Sequence, residues 1–324
     1  MRTKMPVRPL KRFTAMAVVA AVASVASVVV AGCEAKVHAK AQSAPLQAAP
    51  GLVSSRSPSP PQLAELLFEA ISPSQAAPAT GFGALEARVR HATEEAAASG
   101  ATLAVAVLDR VTRELVFDGN SQIVGTASVA KLFIADDLLL REAQGKAALS
   151  SDDRQALDVM LQSSDDGAAE KFWDQGGGDA IIAAVTTRYG LTSTTPPSDG
   201  RWWNTMSSVT DLIRYYDMLL DGSGGLPIER AKIIVDDLAQ STPTGVDGYP
   251  QRFGIPEGLY AEPVAVKQGW MCCIGSDWMH LSTGVIGADR RYIMVVQSLQ
   301  PADDATARDT ITHAVRTMFP DGRI

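Results

Sequence analysis

A chain of 324 residues has room for one large domain or two small ones, and its 46% hydrophobic and 20% charged residues are the composition of a soluble globular protein, which excludes disorder overall. The formal charge of −7 hides an asymmetry: the first 13 residues hold five bases (Arg2, Lys4, Arg8, Lys11, Arg12) and no acid, so the rest carries −12. An acidic body without clustered Lys and Arg argues against nucleic-acid binding, and three cysteines, two of them adjacent, are too few for a disulfide scaffold or a four-ligand zinc site.

The basic start leads into an Ala- and Val-rich apolar run, Thr14 to Gly32, the pattern of a secretion signal. The run ends in Val30-Ala31-Gly32-Cys33, which resembles the lipobox of bacterial lipoproteins. That resemblance implies cleavage before Cys33 and a lipid on its thiol, leaving residues 33–324 anchored on the extracytoplasmic face of the cell membrane. The alternative is an uncleaved spanning helix; a cysteine at the very end of the run favours lipidation. Residues 33–80 are rich in Pro, Ala and Ser and read as a tether. One interruption, Pro61 to Ile71, has the apolar spacing of a short docking helix.

The folded domain is assigned to 81–324. Leu85 to Ala98 reads as a helix, and Leu103 to Leu108 and Glu114 to Phe117 as strands around a turn. An apolar helix follows over Ser128 to Gln144, then helices from Ser151 through Leu161, at Asp179 to Arg188, at Ser208 to Leu220 and at Pro227 to Leu238. Pro263 to Lys267, Trp278 to Ile286 and Tyr292 to Leu299 read as strands, and Asp303 to Met318 as a closing helix. Strands at both ends with helices between them predict an α+β fold: one antiparallel sheet flanked by helices, with an inserted all-helical lobe.

Ser128-Val129-Ala130-Lys131 opens the apolar helix, and helical spacing brings its amine within reach of its hydroxyl. Alone, this is a weak signal. Ser164-Asp165-Asp166 and Lys267-Gln268-Gly269-Trp270 follow in order. Together the three segments resemble the S-x-x-K, S-D-N and K-T-G set of the penicillin-recognising serine enzymes, the class A β-lactamases and penicillin-binding peptidases. The resemblance covers roughly Leu85 to Met318 and implies the β-lactamase/transpeptidase-like fold. It also implies roles: Ser128 as the acylated nucleophile, Lys131 as its base, Ser164 as proton relay, and Lys267 as holder of that network and attractor of a substrate carboxylate. Asp166, Gln268, Gly269 and Trp270 would border the substrate, with the backbone N–H groups of Ser128 and Trp270 as oxyanion hole. No metal or other cofactor is implied, and a monomer is expected.

Four departures stand against full activity. Asp166 replaces an Asn and cannot donate an amide N–H when ionised. Gln268 replaces a hydroxyl residue, the 36-residue step from Ser128 to Ser164 is short, and Leu191 to Ser207 holds no Glu for deacylation, only Asp199. The first expectation is therefore a membrane-anchored serine hydrolase acting on a β-lactam or a peptidoglycan-like peptide. The alternative is a catalytically weak lipoprotein of the same fold that binds in the cell envelope. Cys272-Cys273 reads evenly as a vicinal disulfide or as two small buried residues, and Trp202-Trp203 as a loop pin or a ligand rim. The four histidines read as ordinary.

Overall fold

The computed structural model describes residues Phe82–Ile324; the signal run, Cys33, the tether and the Pro61 to Ile71 helix lie outside the described residues. In chain order the elements are α1 (Phe82–Ala98), β1 (Thr102–Asp109), β2 (Leu115–Phe117), β3 (Val124–Gly125), a 3-10 turn (Ala127–Ala130), α2 (Lys131–Ala143), α3 (Ser151–Gln162), α4 (Asp166–Gly176) and α5 (Asp179–Tyr189). A second 3-10 turn (Trp202–Asn204) precedes β4 (Met206–Ser207), α6 (Val209–Asp221), α7 (Ile228–Ala239) and α8 (Ile255–Gly258). The chain closes with β5 (Val264–Ile274), β6 (Asp277–Ile286), β7 (Tyr292–Gln300) and α9 (Asp304–Met318).

The main sheet runs β2-β1-β7-β6-β5, with every pair antiparallel. Its central strands are buried on both faces, which is why β1 and β7 read as nearly continuous apolar runs. Alternation divides them: Ala104, Ala106 and Leu108 join the core shared with α2 to α7, while Leu103, Val105 and Val107 face α1 and α9. The α+β expectation of a sheet flanked by helices, with a helical lobe between its first and last strands, matches this architecture.

The differences in detail are local. The apolar stretch predicted as one helix from Ser128 begins as a 3-10 turn and becomes α-helical only at Lys131. Helix α4 was not predicted, yet its signals are in the chain. The Asp165 side chain caps it by accepting from the Ala168 N–H at 2.6 Å, and Ala168, Ala169, Phe172 and Trp173 make a buried stripe. Strand β5 runs on past Lys267 to Ile274 because Gly269, Trp270 and Met271 keep register with Leu281, His280 and Met279 of β6.

Candidate active site

Three segments meet where the helical lobe faces the edge strand β5. The 3-10 turn at the head of α2 carries Ser128, the connection between α3 and α4 carries Ser164, and β5 carries Lys267. The Lys131 amine lies 2.7 Å from Ser128 Oγ, 3.0 Å from the Ser164 carbonyl oxygen, 3.2 Å from Ser164 Oγ and 2.6 Å from Asp166 Oδ1. Lys267 Nζ donates to Ser164 Oγ at 2.9 Å. Ser128, Lys131, Ser164 and Lys267 thus form one hydrogen-bonded chain in which both lysines are fully buried and both serines nearly so. Ser164 joins it through the two amines, which are its side-chain partners.

The backbone around these groups is held in conformations that side chains rarely adopt. Ala127, just before Ser128, has φ 46°, and Ser164 has φ 59°. Such left-handed non-glycine residues cost about 1–3 kcal/mol each and gather at sites whose surroundings fix them. Gly269 allows the third segment to approach: a Cβ there would lie 2.5 Å from the Thr126 carbonyl oxygen and 3.4 Å from Ala127 Cβ. Only a residue without a side chain lets β5 press against the turn that presents Ser128.

Burial drives both lysines towards the neutral amine, because water no longer solvates the ammonium. For Lys267 the neighbouring Lys131 charge adds to that push, and its pKa falls well below the lysine range. For Lys131 burial is opposed chiefly by the Asp166 carboxylate, so the net fall is a balance of two large effects. The indole of Trp202 sits 4.5 Å from the Lys131 amine, another contact that favours a cation there.

A cavity of about 230 Å³ opens onto Ser128, lined by Ala127, Asp166, Trp202, Trp203, Asp247, Trp270 and Met271. Of the residues expected to border a substrate, Asp166 and Trp270 line it. Gly269 and Gln268 do not, and the assignment of Gln268 as a substrate-contacting residue is corrected. Strand alternation sends its side chain to the face opposite Lys267, where it is 2% exposed and donates to the carbonyl oxygens of Phe253 (2.6 Å) and Gln251 (3.2 Å). Asp199 is also elsewhere: it accepts from the Arg201 N–H and the Asn204 amide, away from the lining of the Ser128 cavity. Trp202 and Trp203 combine both readings, since Trp202 is buried and both indoles line the cavity. Cys272 and Cys273 are exposed and joined to each other in a disulfide across a cis peptide bond.

Sequence reasoning missed Asp247. It sits in the connection between α7 and α8 without any motif, and only the fold carries it to the cavity. It also missed the packing under Trp270, whose ring stacks on Tyr249 at 4.3 Å and 7° between planes. The Tyr249 hydroxyl is shared by His280 Nε2 at 2.7 Å and Asp304, so buried His280 helps to hold the ring on which Trp270 stacks.

No protein-family model matches the chain. Proteins carrying the name lipoprotein LppW, from Mycobacterium tuberculosis and Mycobacterium bovis, are 69% identical to it over 99% of this chain and 100% of their own length. The chain belongs to the LppW family of bacterial lipoproteins. Solved structures add the fold. A β-lactamase from Chitinophaga pinensis superposes with a TM-score of 0.59 at 14% identity, covering 72% of this chain and 98% of its own. The protein PBP-A gives 0.58 at 17% identity, covering 73% and 94%. The extended-spectrum β-lactamase TLA-1 gives 0.60 at 11% identity, covering 74% and 98%. At such identities the likeness concerns the fold alone: the antiparallel sheet and helical lobe are those of the β-lactamase/transpeptidase-like class.

Proposed function

We propose that the chain is a lipid-anchored serine hydrolase of the cell envelope, acylated on Ser128 by a β-lactam or a peptidoglycan-like peptide. The observation that carries this is the buried chain Ser128–Lys131–Ser164–Lys267. A neutral Lys131 suits it well. Its lone pair would accept the Ser128 hydroxyl proton across the 2.7 Å contact, and its two N–H groups would donate to Asp166 and the Ser164 carbonyl. Ser164 Oγ is then supplied by Lys267.

In this reading Ser128 Oγ bonds to the substrate carbonyl carbon as its proton passes to Lys131. The resulting oxyanion lies against the backbone N–H groups of Ser128 and Trp270, a device worth a few kcal/mol per donor in hydrolases. The intermediate collapses by breaking the carbon–nitrogen bond, and Lys131 returns the proton through Ser164 to the leaving nitrogen. The acyl group stays on Ser128. Hydrolysing that ester needs a base for water; Leu191 to Ser207 brings none to the cavity, which leaves Asp166 and Asp247 as the carboxylates that line it. The anchor of this reading is the lipid on Cys33, with the 33–80 tether carrying the domain outside the membrane.

A second reading is favoured by the 2.6 Å Lys131–Asp166 ion pair, which stabilises the ammonium and so removes the base. The protein is then a binding lipoprotein of the envelope with an unreactive serine. Detergent-solubilised full-length protein, incubated with a fluorescent penicillin and separately with a fluorophosphonate, separates the two by intact mass. The acylation reading expects a single adduct that disappears in Ser128→Ala. A folded protein that gains no adduct from either reagent overturns it in favour of the binding reading.

A further inference from the structure

The walls of the cavity are unusual for a site expected to receive a carboxylate. The side chains lining it include two acids, Asp166 and Asp247, and three indoles, Trp202, Trp203 and Trp270; among the described residues no basic side chain lines it. Lys131 and Lys267 lie beneath the surface with essentially no exposure, and burial pushes both towards the uncharged amine. Arg201 is near, but it stacks on Trp203 from 5.7 Å and pairs with Asp199 at 3.9 Å, outside the lining. Asp166 spends one oxygen on Lys131 while its side chain stays 72% exposed. Among the described residues no cation pairs with Asp247, which accepts only the Tyr249 backbone N–H at 3.0 Å.

The loop that holds Asp247 is built, not incidental. On one side it is stitched to the end of α3: Thr242 N donates to the Gln162 carbonyl at 2.9 Å, Val246 N to the Ser163 carbonyl at 2.8 Å, and the Gln251 amide to the Gln162 carbonyl at 3.1 Å. On the other side the buried Gln268 amide grips the Gln251 and Phe253 carbonyls. Tyr249, two residues on, is clamped between Trp270 and the His280–Asp304 pair. Asp247 is thereby fixed next to the segment that bears Ser164 and Asp166.

A carboxylate pair facing indole surfaces is the chemistry of cation recognition: carboxylates supply charge, and aromatic faces supply the ring quadrupole without strong hydration to displace. We propose that this cavity takes a ligand bearing an ammonium or guanidinium group, held between Asp166, Asp247 and the tryptophan faces, beside the carbonyl presented to Ser128. The inference rests on the acylation reading for the position of that carbonyl, and it narrows the substrate to cationic acyl compounds. A carboxylate in the same position faces two acids and no exposed base.

Two arms test it, and each can fail alone. In the first, full-length protein is acylated by three matched p-nitrophenyl esters whose acyl chains end in trimethylammonium, an uncharged isopropyl group or a carboxylate, with adducts followed by intact mass. The cationic ester is expected to label Ser128 at least about tenfold faster than the carboxylate ester, and Asp247→Asn or added salt should shrink that ratio. In the second, Ser128→Ala protein, which cannot be acylated, is titrated with acetylcholine and with monomethyl glutarate by tryptophan fluorescence. Saturable quenching by the ammonium compound alone, weakened in Asp247→Asn, supports the cation site even if no ester labels the wild type. Equal binding of both compounds, preference for the carboxylate, or no binding overturns it. Labelling of Ser128 without cation preference likewise overturns it while leaving the acylation reading intact.

Discussion

Asp166→Asn isolates the electrostatic question at the centre of the site. The Asp166 carboxylate lies 2.6 Å from the Lys131 amine and stabilises its ammonium form, so removing the charge lowers the Lys131 pKa further in the direction burial already drives it. A unit pair near 4 Å interacts by about 4 kcal/mol at an effective dielectric of about 20 and about 1 kcal/mol in water. The Asp166 side chain is 72% exposed, which places the pair towards the screened end, at about 1–2 kcal/mol. At 1.36 kcal/mol per factor of ten, that is about a tenfold change in the Lys131 protonation equilibrium. If Lys131 is the base, the acid limb of the acylation pH–rate profile moves to lower pH. On that limb the variant then reacts about tenfold faster than wild type. Stopped-time labelling with a fluorescent penicillin between pH 5 and 10, quantified by intact mass, measures both. Asn keeps the size of the side chain and adds an N–H donor, so a collapsed site is not the expected result. An unmoved acid limb, or one moved to higher pH, refutes Lys131 as the base restrained by Asp166.

Two further outcomes follow from the packing. Gly269→Ala puts a Cβ 2.5 Å from the Thr126 carbonyl oxygen, a backbone atom that cannot yield without moving the Ser128 turn. A loss of about 1–3 kcal/mol in denaturant unfolding is expected, together with loss of Ser128 labelling in the protein that remains folded; a labelling rate equal to wild type would show that β5 can withdraw freely. Burial holds His280 near pKa 4 against an ordinary value of 6.5, so between those values the unfolded chain takes up a proton that the folded protein refuses. Stability is therefore full above about pH 6.5 and falls by up to about 3 kcal/mol as pH drops to about 4. Unfolding curves of wild type and His280→Gln at pH 7, 5.5 and 4 should converge towards low pH, the difference removing the opposite contribution of Asp237, pushed up to about 6. Parallel curves would place the proton uptake elsewhere.

The legible part of the sequence was what local rules can carry. Caps and apolar spacing gave α3, α5, α6, α7 and α9 within a residue or two: Ser150, Ser208 and Asp303 cap α3, α6 and α9 through their side chains, while α5 and α7 start after Gly178 and Pro227 without such a cap. The two serines and two lysines could be read from spacing and order, and the fold brings them together. What depended on tertiary placement stayed hidden. Nothing near Asp247 in the chain resembles a motif; its position is the product of hydrogen bonds to residues 162 and 163 and to Gln268. Asp136 is similarly silent in sequence, one of two adjacent acids in an apolar helix, yet it lies fully buried with Arg188 and Tyr189 as partners. Gln268 points away from the cavity because strand alternation, and not its position in a motif, fixes the direction of its side chain.

The departures from the three-motif pattern then become one change rather than several. A hydroxyl residue after Lys267 would have no reach to the Gln251 and Phe253 carbonyls; the longer Gln268 amide binds both and ties down the 241–253 loop. That loop delivers Asp247 to the cavity, and the α4 N-terminus delivers Asp166 opposite it. The Leu191 to Ser207 segment, having no glutamate to contribute, instead lays Trp202 against Lys131 and Trp203 along the wall. Each replacement on its own weakens a site for an anionic ligand. Taken together they leave a surface that is acidic and aromatic above the hydrogen-bonded chain of Ser128, Lys131, Ser164 and Lys267.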